Sequence, residues 1–539
     1  MALFVTKSLA VGAWLVVSTV AGAQAPPAKA ACDIGETATG NAARATLSVN
    51  LARESASSAV AATNLKNAVK LLENTDKGDN PVVNAYVLGS AISLWANQPG
   101  IGLMPKRGAL GLVANPTGTV DIPSTLDSLF RIVETSKPAC AEYTAYWRAG
   151  QKFYLDVVNG AINALNADKL DSAEYYATQA NKLYARSPYG TMVIGSVASK
   201  RSNPARAIEY WTLAAEAANK DTSYHDVRRQ MLANIGSAYL DAGNAATGAE
   251  KVVAYRKAAD IYTQLIAVPG SRGQYLTGAR QQLQTAYLLA GDTAAAVKTW
   301  EPLIANPAGY DYQDLLNSAV TAARSNKSVD AGKLFEATLA QNPSNRDALF
   351  NVAVTYLSLE QNDKVGPIVE RLVVVDPGNP ENYNLAARAY LALGKAAKAA
   401  KKPAVVVAYN DTTMSWFTRG NNLPVEVTFA EFSPTEKTVT IGGSVLDRRD
   451  KIQMNDPQPA APAKAAKGAR GKPVPASKAE TKAFPPKPVT LAFSAIDKTG
   501  QVVGTETVTT EPLAPGQKAK FKVTINAPNV LAYRYKIVD

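Results

Sequence analysis

Histidine and cysteine are almost absent from this chain: one His and two Cys in 539 residues. That scarcity excludes Cys/His zinc centres, iron–sulfur clusters, His-rich metal sites and a disulfide-dense scaffold. It leaves one imidazole, His225, for any histidine general base. His225 stands between Tyr224 and Asp226, a setting that reads as a helix start rather than a catalytic pair. Also missing are the GxxxxGK[ST], HExxH, GxSxG and EF-hand patterns, so no phosphate loop, zincin, nucleophile elbow or calcium loop is legible. Gly100, Gly102 and Gly108 do not make a phosphate cradle, because Pro105, Lys106 and Arg107 intervene without a strand–helix frame. No cofactor or metal is expected.

What the chain has in excess is positive charge, +12 overall. The excess is local. Residues 448–487 hold ten basic and three acidic groups, and 395–402 hold Lys395, Lys398, Lys401 and Lys402 with no acid. With Lys7 these account for all of it, so the rest of the chain is formally neutral. Only Phe484 interrupts the longer basic stretch with an aromatic ring, which argues against nucleic-acid binding, since that needs basic groups on an ordered element with stacking rings between them.

The first residues read as a secretory signal. Lys7 supplies the positive start, Ser8–Val20 is mostly apolar and uncharged, and Ala21-Gly22-Ala23 gives small residues at cleavage spacing. The expected division is a signal peptide over 1–23 and a flexible mature N-terminus over 24–40, with a periplasmic or secreted location. Export would place Cys32 and Cys140 in an oxidising compartment, where a disulfide is expected; two buried thiols are the alternative.

The middle of the chain repeats itself. Tyr356 and Tyr390, Pro343 and Pro377, and Ala173 and Ala207 are each 34 residues apart. Arg346–Asn379 carries Leu349, Val352, Ala353, Tyr356, Val365, Val369, Leu372 and Pro377, and the next unit opens with Tyr383, Ala386, Ala387, Tyr390 and Gly394. Five further units precede these, starting near Tyr154, Pro188, Arg229, Thr277 and Tyr312, the one at Arg229 with its second helix displaced by about ten residues. This spacing of small and large residues resembles the tetratricopeptide repeat (TPR), a 34-residue helix–turn–helix unit. Small residues let two helices approach and bulky ones fill the space beside them. The resemblance implies a TPR solenoid over 136–395, capped upstream by degenerate helical repeats over 41–135.

After Gly394 the period changes. A linker is expected over 396–420, then alternating strands at Val425–Phe432, Thr438–Leu446, Val489–Ile496, Val502–Thr509, Lys518–Ile525 and Tyr533–Val538. The fold class expected is therefore mainly α: a helical-hairpin solenoid followed by a small antiparallel β-sandwich over 421–539. Residues 450–487, rich in Ala, Lys and Pro, are expected as a disordered basic insert in it. Pro488–Phe521, with Leu513-Ala514-Pro515-Gly516 ahead of Lys518–Phe521, resembles the immunoglobulin-like FxLYD-type domains of exported bacterial proteins.

TPR phasing turns positions 2, 5, 9 and 12 of each first helix towards a concave groove. That nominates Tyr189, Met192, Gln281, Phe350, Leu357, Asn384 and Arg388 for contact with a protein or peptide partner. The Lys-then-Asn pair by which some TPR proteins grip a C-terminal carboxylate is absent at the equivalent positions. The expected function is an exported, non-enzymatic scaffold for protein–protein interaction in a bacterial envelope. The alternative is a module that binds anionic envelope polymer or lipid headgroups, or a membrane surface, through 395–402 and 448–487.

Overall fold

The computed structural model describes residues 32–35, 40–73, 80–270, 274–454 and 484–538. The expected signal peptide over 1–23, most of the expected flexible segment over 24–40 and residues 455–483 of the expected basic insert lie outside the described residues. The chain divides into two compact units, one running to Ala238 with Val268–Gly270, the other comprising Tyr239–Ala267 and the residues from Ser271 on.

The N-terminal unit holds α1 (Gly40–Glu54), α2 (Ser58–Glu73), α3 (Pro81–Ala96), α4 (Ile122–Ser136), α5 (Ala141–Ala149), α6 (Lys152–Asn166), α7 (Leu170–Leu183), α8 (Tyr189–Lys200), α9 (Pro204–Ala218) and the start of α10 (His225–Ala245). Helices α1 with α2, α3 with α4, α6 with α7, and α8 with α9 pack as hairpins. Asn80-Pro81 and Asn203-Pro204 begin α3 and α9, the Asn side chain accepting from Val82 N and Arg206 N respectively. Proline at the first helical position lacks only an N–H that has no partner there. Gly195 of α8 lies so close to Trp211 of α9 that a Cβ would come within 2.5 Å of the ring; the small residue sets the distance between the two helices. Cys32 and Cys140 are joined by a disulfide with Cα atoms 4.8 Å apart, spanning 108 residues, and they pack with Ala85, Val133 and Ile34. The Gly/Pro-rich loop between α3 and α4 is held by Glu73, which accepts from Arg107 Nη2 at 3.1 Å, Ala114 N at 3.0 Å and Val113 N.

The C-terminal unit contains the end of α10, α11 (Gly248–Ile266), α12 (Gln274–Leu289), α13 (Thr293–Ala305), α14 (Tyr312–Arg324), α15 (Ser328–Gln341), α16 (Arg346–Ser358), α17 (Val365–Val375), α18 (Pro380–Ala399) and α19 (Pro403–Asn421). Consecutive first helices touch, α12 on α14, α14 on α16 and α16 on α18, and so do the second helices α13 and α15. Alternation of small and large residues carries the packing: Ala296, Ala319, Ala331 and Ala353 are fully buried beside Trp300, Leu334 and Phe335. This is a TPR-like stack of helical hairpins. A left-handed residue closes the turn inside most hairpins of both units: Asp168, Ser202, Gly291, Asn326, Glu360 and Lys401.

Residues 396–420, expected as a linker, are instead the end of α18 and nearly all of α19. The Val405-Val406-Val407 run disfavours helix by propensity, but α19 lies along α18 and buries Trp416 against Tyr383, ring centroids 6.1 Å apart. Tertiary packing overrides local preference.

Strands follow where alternation placed them: β1 (Val425–Pro434), β2 (Thr438–Asp447), β3 (Thr490–Ile496), β4 (Val502–Thr509), β5 (Lys518–Asn526) and β6 (Ala532–Val538). They form two antiparallel three-stranded sheets, ordered β1-β2-β5 and β4-β3-β6, that share one core of Val427, Ile441, Phe493, Phe521, Val523 and Tyr535. Both described ends of the expected insert, 450–454 and 484–487, are ordered against the sheets. Arg449–Met454 is a short helix, α20, and Lys487 pairs with Leu513. Arg449 ties both stems, donating to Asp447 Oδ2 at 2.7 Å, Leu513 O at 3.0 Å and Pro485 O at 3.1 Å. No helix among the described residues is long and apolar enough to cross a membrane.

A buried polar joint fixes the sheets to the turns between the last repeats. Tyr535 Oη donates to Asp376 Oδ1 at 2.7 Å and accepts from Gly378 N at 2.9 Å. Asn342 Nδ2 donates to Leu531 O at 3.1 Å, and Arg346 Nη1 to Tyr533 Oη at 3.0 Å. Gly378 has no room for a side chain, since a Cβ would meet Val427 at 2.7 Å and Tyr535 Oη at 2.8 Å. Burial raises the Asp376 carboxyl above its ordinary range, and the donors Tyr535, Arg346 and Asn382 offset that only in part.

Candidate protein-binding surface

The first-helix face of the C-terminal unit changes character from helix to helix. On α12 and α14 it carries amides: Gln313 Nε2 donates to Asn317 Oδ1 at 3.1 Å, and Asn317 Nδ2 to Gln281 Oε1 at 3.3 Å. Beneath this chain, Arg280 pairs with Asp314, and Gln284 Nε2 donates to Ser318 Oγ at 2.8 Å. On α16 the face is apolar: Phe350 and Leu357 are half-buried against the repeat core, and Val354 between them is exposed. On α18 it is charged, Glu381 accepting from Arg388 and, at 3.3 Å, from Asn384 Nδ2. Exposed aliphatic side chains flanked by amides that can donate and accept are what an extended peptide or an amphipathic helix needs for affinity and register.

The nominated residues fall in both units. Gln281 and Arg388 are exposed, and Phe350, Leu357 and Asn384 are half-buried on the face just described. Tyr189 and Met192 belong to the N-terminal unit. Tyr189 is half-buried and edge-on to Tyr224, ring centroids 5.7 Å apart. Met192 is 1% exposed, so it is a core residue and cannot meet a partner. Its helix, α8, packs against both α7 and α9, and burial on both flanks leaves position 5 inside. Asn317 was missed, and Gln313, at position 2 of the unit from Tyr312, was not nominated. Phasing α14 from Tyr312 turned Leu316 to the groove, whereas Leu316 is buried and its neighbour Asn317 reaches Gln281.

His225 begins α10, half-buried. Among the described residues no group of three or more His, Cys, Asp or Glu side chains is placed to hold a metal ion.

No family model and no curated protein matches the sequence. Solved structures do. YrrB, described as a TPR protein with an unusual peptide-binding site, matches at 17% identity over 36% of this chain and 90% of its own, with a TM-score of 0.26. A tetratricopeptide repeat protein from Parabacteroides merdae matches at 14% identity over 50% of this chain and 99% of its own, TM-score 0.27. PilF of Pseudomonas aeruginosa matches at 14% identity over 43% and 96%, TM-score 0.27.

Proposed function

We propose that this chain is an exported, non-catalytic scaffold that holds a protein or peptide partner on the first-helix face of its C-terminal unit. The observation that carries the reading is the exposed Val354, with Phe350 and Leu357, set between the amides of α12 and α14 and the charges of α18. The exposed part of Val354 contributes nothing to the repeat core, and covering it is favourable by about 25 cal/mol per Å². Export is supported by the Lys7–Ala23 pattern and by the pairing of the only two cysteines. The sheets serve as a second contact module or as a brace for the last repeats; the Asp376–Tyr535 joint favours the brace.

Reading the basic segments as a dock for anionic polymer or headgroups loses support at Arg448 and Arg449. Arg448 is 7% exposed and donates to Gly420 O, and Arg449 is spent on Asp447 and the insert stems.

The test is photo-crosslinking in the native host, with a crosslinker at Phe350 and a Val354→Asp control. The expected result is a protein adduct at Phe350 that Val354→Asp diminishes, recovered with mature chain beginning near Gln24. An adduct-free Phe350, together with turnover of a small molecule by the pure protein, overturns the reading.

A further inference from the structure

The last hairpin is longer than those before it. Left-handed turn residues recur 34 residues apart from Asn326 to Glu360, but 41 separate Glu360 from Lys401. Seven extra residues are about two helical turns. Accordingly α18 and α19 have 20 and 19 residues where α14 and α16 have 13 each. Between the two long helices lies an open groove of about 730 Å³, lined by Leu391, Val406 and Val407 together with Lys395, Lys398, Lys401 and Lys402. All four lysines are exposed, and none forms an ion pair with a described residue. Leu391 is 44% and Val407 59% exposed. Met414 and Phe417, also exposed, extend the apolar stripe along α19.

We propose that this groove takes an acidic amphipathic segment of a protein partner, with apolar side chains on Leu391, Val406 and Val407 and carboxylates at the four lysines. The inference rests on the scaffold reading and names the chemistry of one partner segment. Charge selects the occupant. Four unpaired ammonium groups within eight residues favour an anion, and the aliphatic lining requires that the anion carry hydrophobic groups. The chain's own insert is a poor fit, because residues 455–483 hold six basic groups against Asp456 and Glu480. A phosphatidylglycerol surface is the competing occupant, and sedimentation with vesicles separates it from a peptide.

The probe is a fluorescein-labelled amphipathic peptide of about 14 residues, Leu at i and i+4 spacing and Glu elsewhere, titrated by anisotropy into the full-length protein. Binding is expected to weaken with salt. Replacing every Glu of the peptide by Gln, or using K398E/K402E protein, is expected to weaken it about tenfold, and V407D to abolish it. Thermal unfolding of both variants should match the parent, because the altered side chains are exposed. Equal binding by K398E/K402E overturns the proposal. So does protein that ignores the peptide yet sediments with phosphatidylglycerol vesicles. A crosslinker at Val407 separates this idea from the broader one. An adduct at Phe350 with none at Val407 removes the groove and leaves the scaffold; none at either position, together with turnover of a small molecule by the pure protein, removes both.

Discussion

Glu73 in the N-terminal unit and Asp376 in the C-terminal unit both pin a segment to a helical hairpin, yet their surroundings push them in opposite directions. Glu73 pays a burial penalty, but the N–H groups of Val113 and Ala114 and the Arg107 guanidinium outweigh it and hold the carboxyl below its usual range. Asp121 and Glu174 of the same unit are lowered likewise, burial being outweighed by Ser124 and Lys182 for the first and by Arg201 and Arg206 for the second. Asp376 sits deeper, and burial wins. One unit is held by charged carboxylates at its rim and a covalent tie at its start; the other by a carboxyl enclosed between a repeat turn and a sheet. What the contrast teaches is that partial exposure lets donors stabilise an anion, while full enclosure favours its protonated form.

The largest test of that contrast is the covalent tie. Cys140→Ser, or reduction of the native protein, is expected to destabilise the N-terminal unit by about 5 kcal/mol, the loop-closure value for a span of 108 residues. In calorimetry the transition of that unit should fall while that of the C-terminal unit stays. If both fall together the units unfold as one body, and the comparison loses its meaning.

Next is the joint. Tyr535→Phe removes the donor to Asp376 and the acceptor of Gly378 N without changing the packed ring. Leaving those buried groups without a partner costs about 1–3 kcal/mol. The loss should appear in the C-terminal transition alone, and far-UV circular dichroism should show the sheets still formed. A neutral Tyr535→Phe means the joint does not hold the sheets.

Much of this was legible beforehand, and the exceptions have physical causes. The 34-residue phase located the hairpins because the packing of neighbouring helices repeats with it. The six strands were legible because alternation on a half-buried sheet is local. Met192 was misplaced because α8 buries Gly190, Met192, Val193, Ile194 and Gly195 around its circumference, so that periodicity carries no face. Helix α19 was missed because it buries only Trp416 and Gly420, too little to imprint a period. The joint was invisible because Asp376 and Tyr535 lie 159 positions apart and nothing near either residue announces the other. The lysine groove failed to register for a related reason: charge counting found Lys395–Lys402 but read as a tail what lines a groove between two long helices.

The smallest expected effect is a drift with pH, and its sign distinguishes the units. A carboxyl lowered by folding contributes stability above its unfolded value, and that contribution is lost as pH falls through the folded one. Glu73, Asp121 and Glu174 therefore make the N-terminal unit less stable on acidification. A carboxyl raised by folding contributes fully below its unfolded value and loses that contribution as pH rises through the folded one. Asp376 thus makes the C-terminal unit more stable over the same interval. Arg346, Tyr533 and Tyr535 face it and stay in one charge state there. Asp497, lowered by its turn hydrogen bond with Thr499, opposes the trend from an exposed site. On acidification from about pH 7 to about pH 4 the melting transition of the C-terminal unit should rise relative to that of the N-terminal unit. Asp376→Asn should erase its part of the drift while keeping a side-chain acceptor for Tyr535. Parallel movement of the two transitions in the parent protein, or an unchanged drift in Asp376→Asn, would mean that enclosure of Asp376 does not govern how the sheets are held.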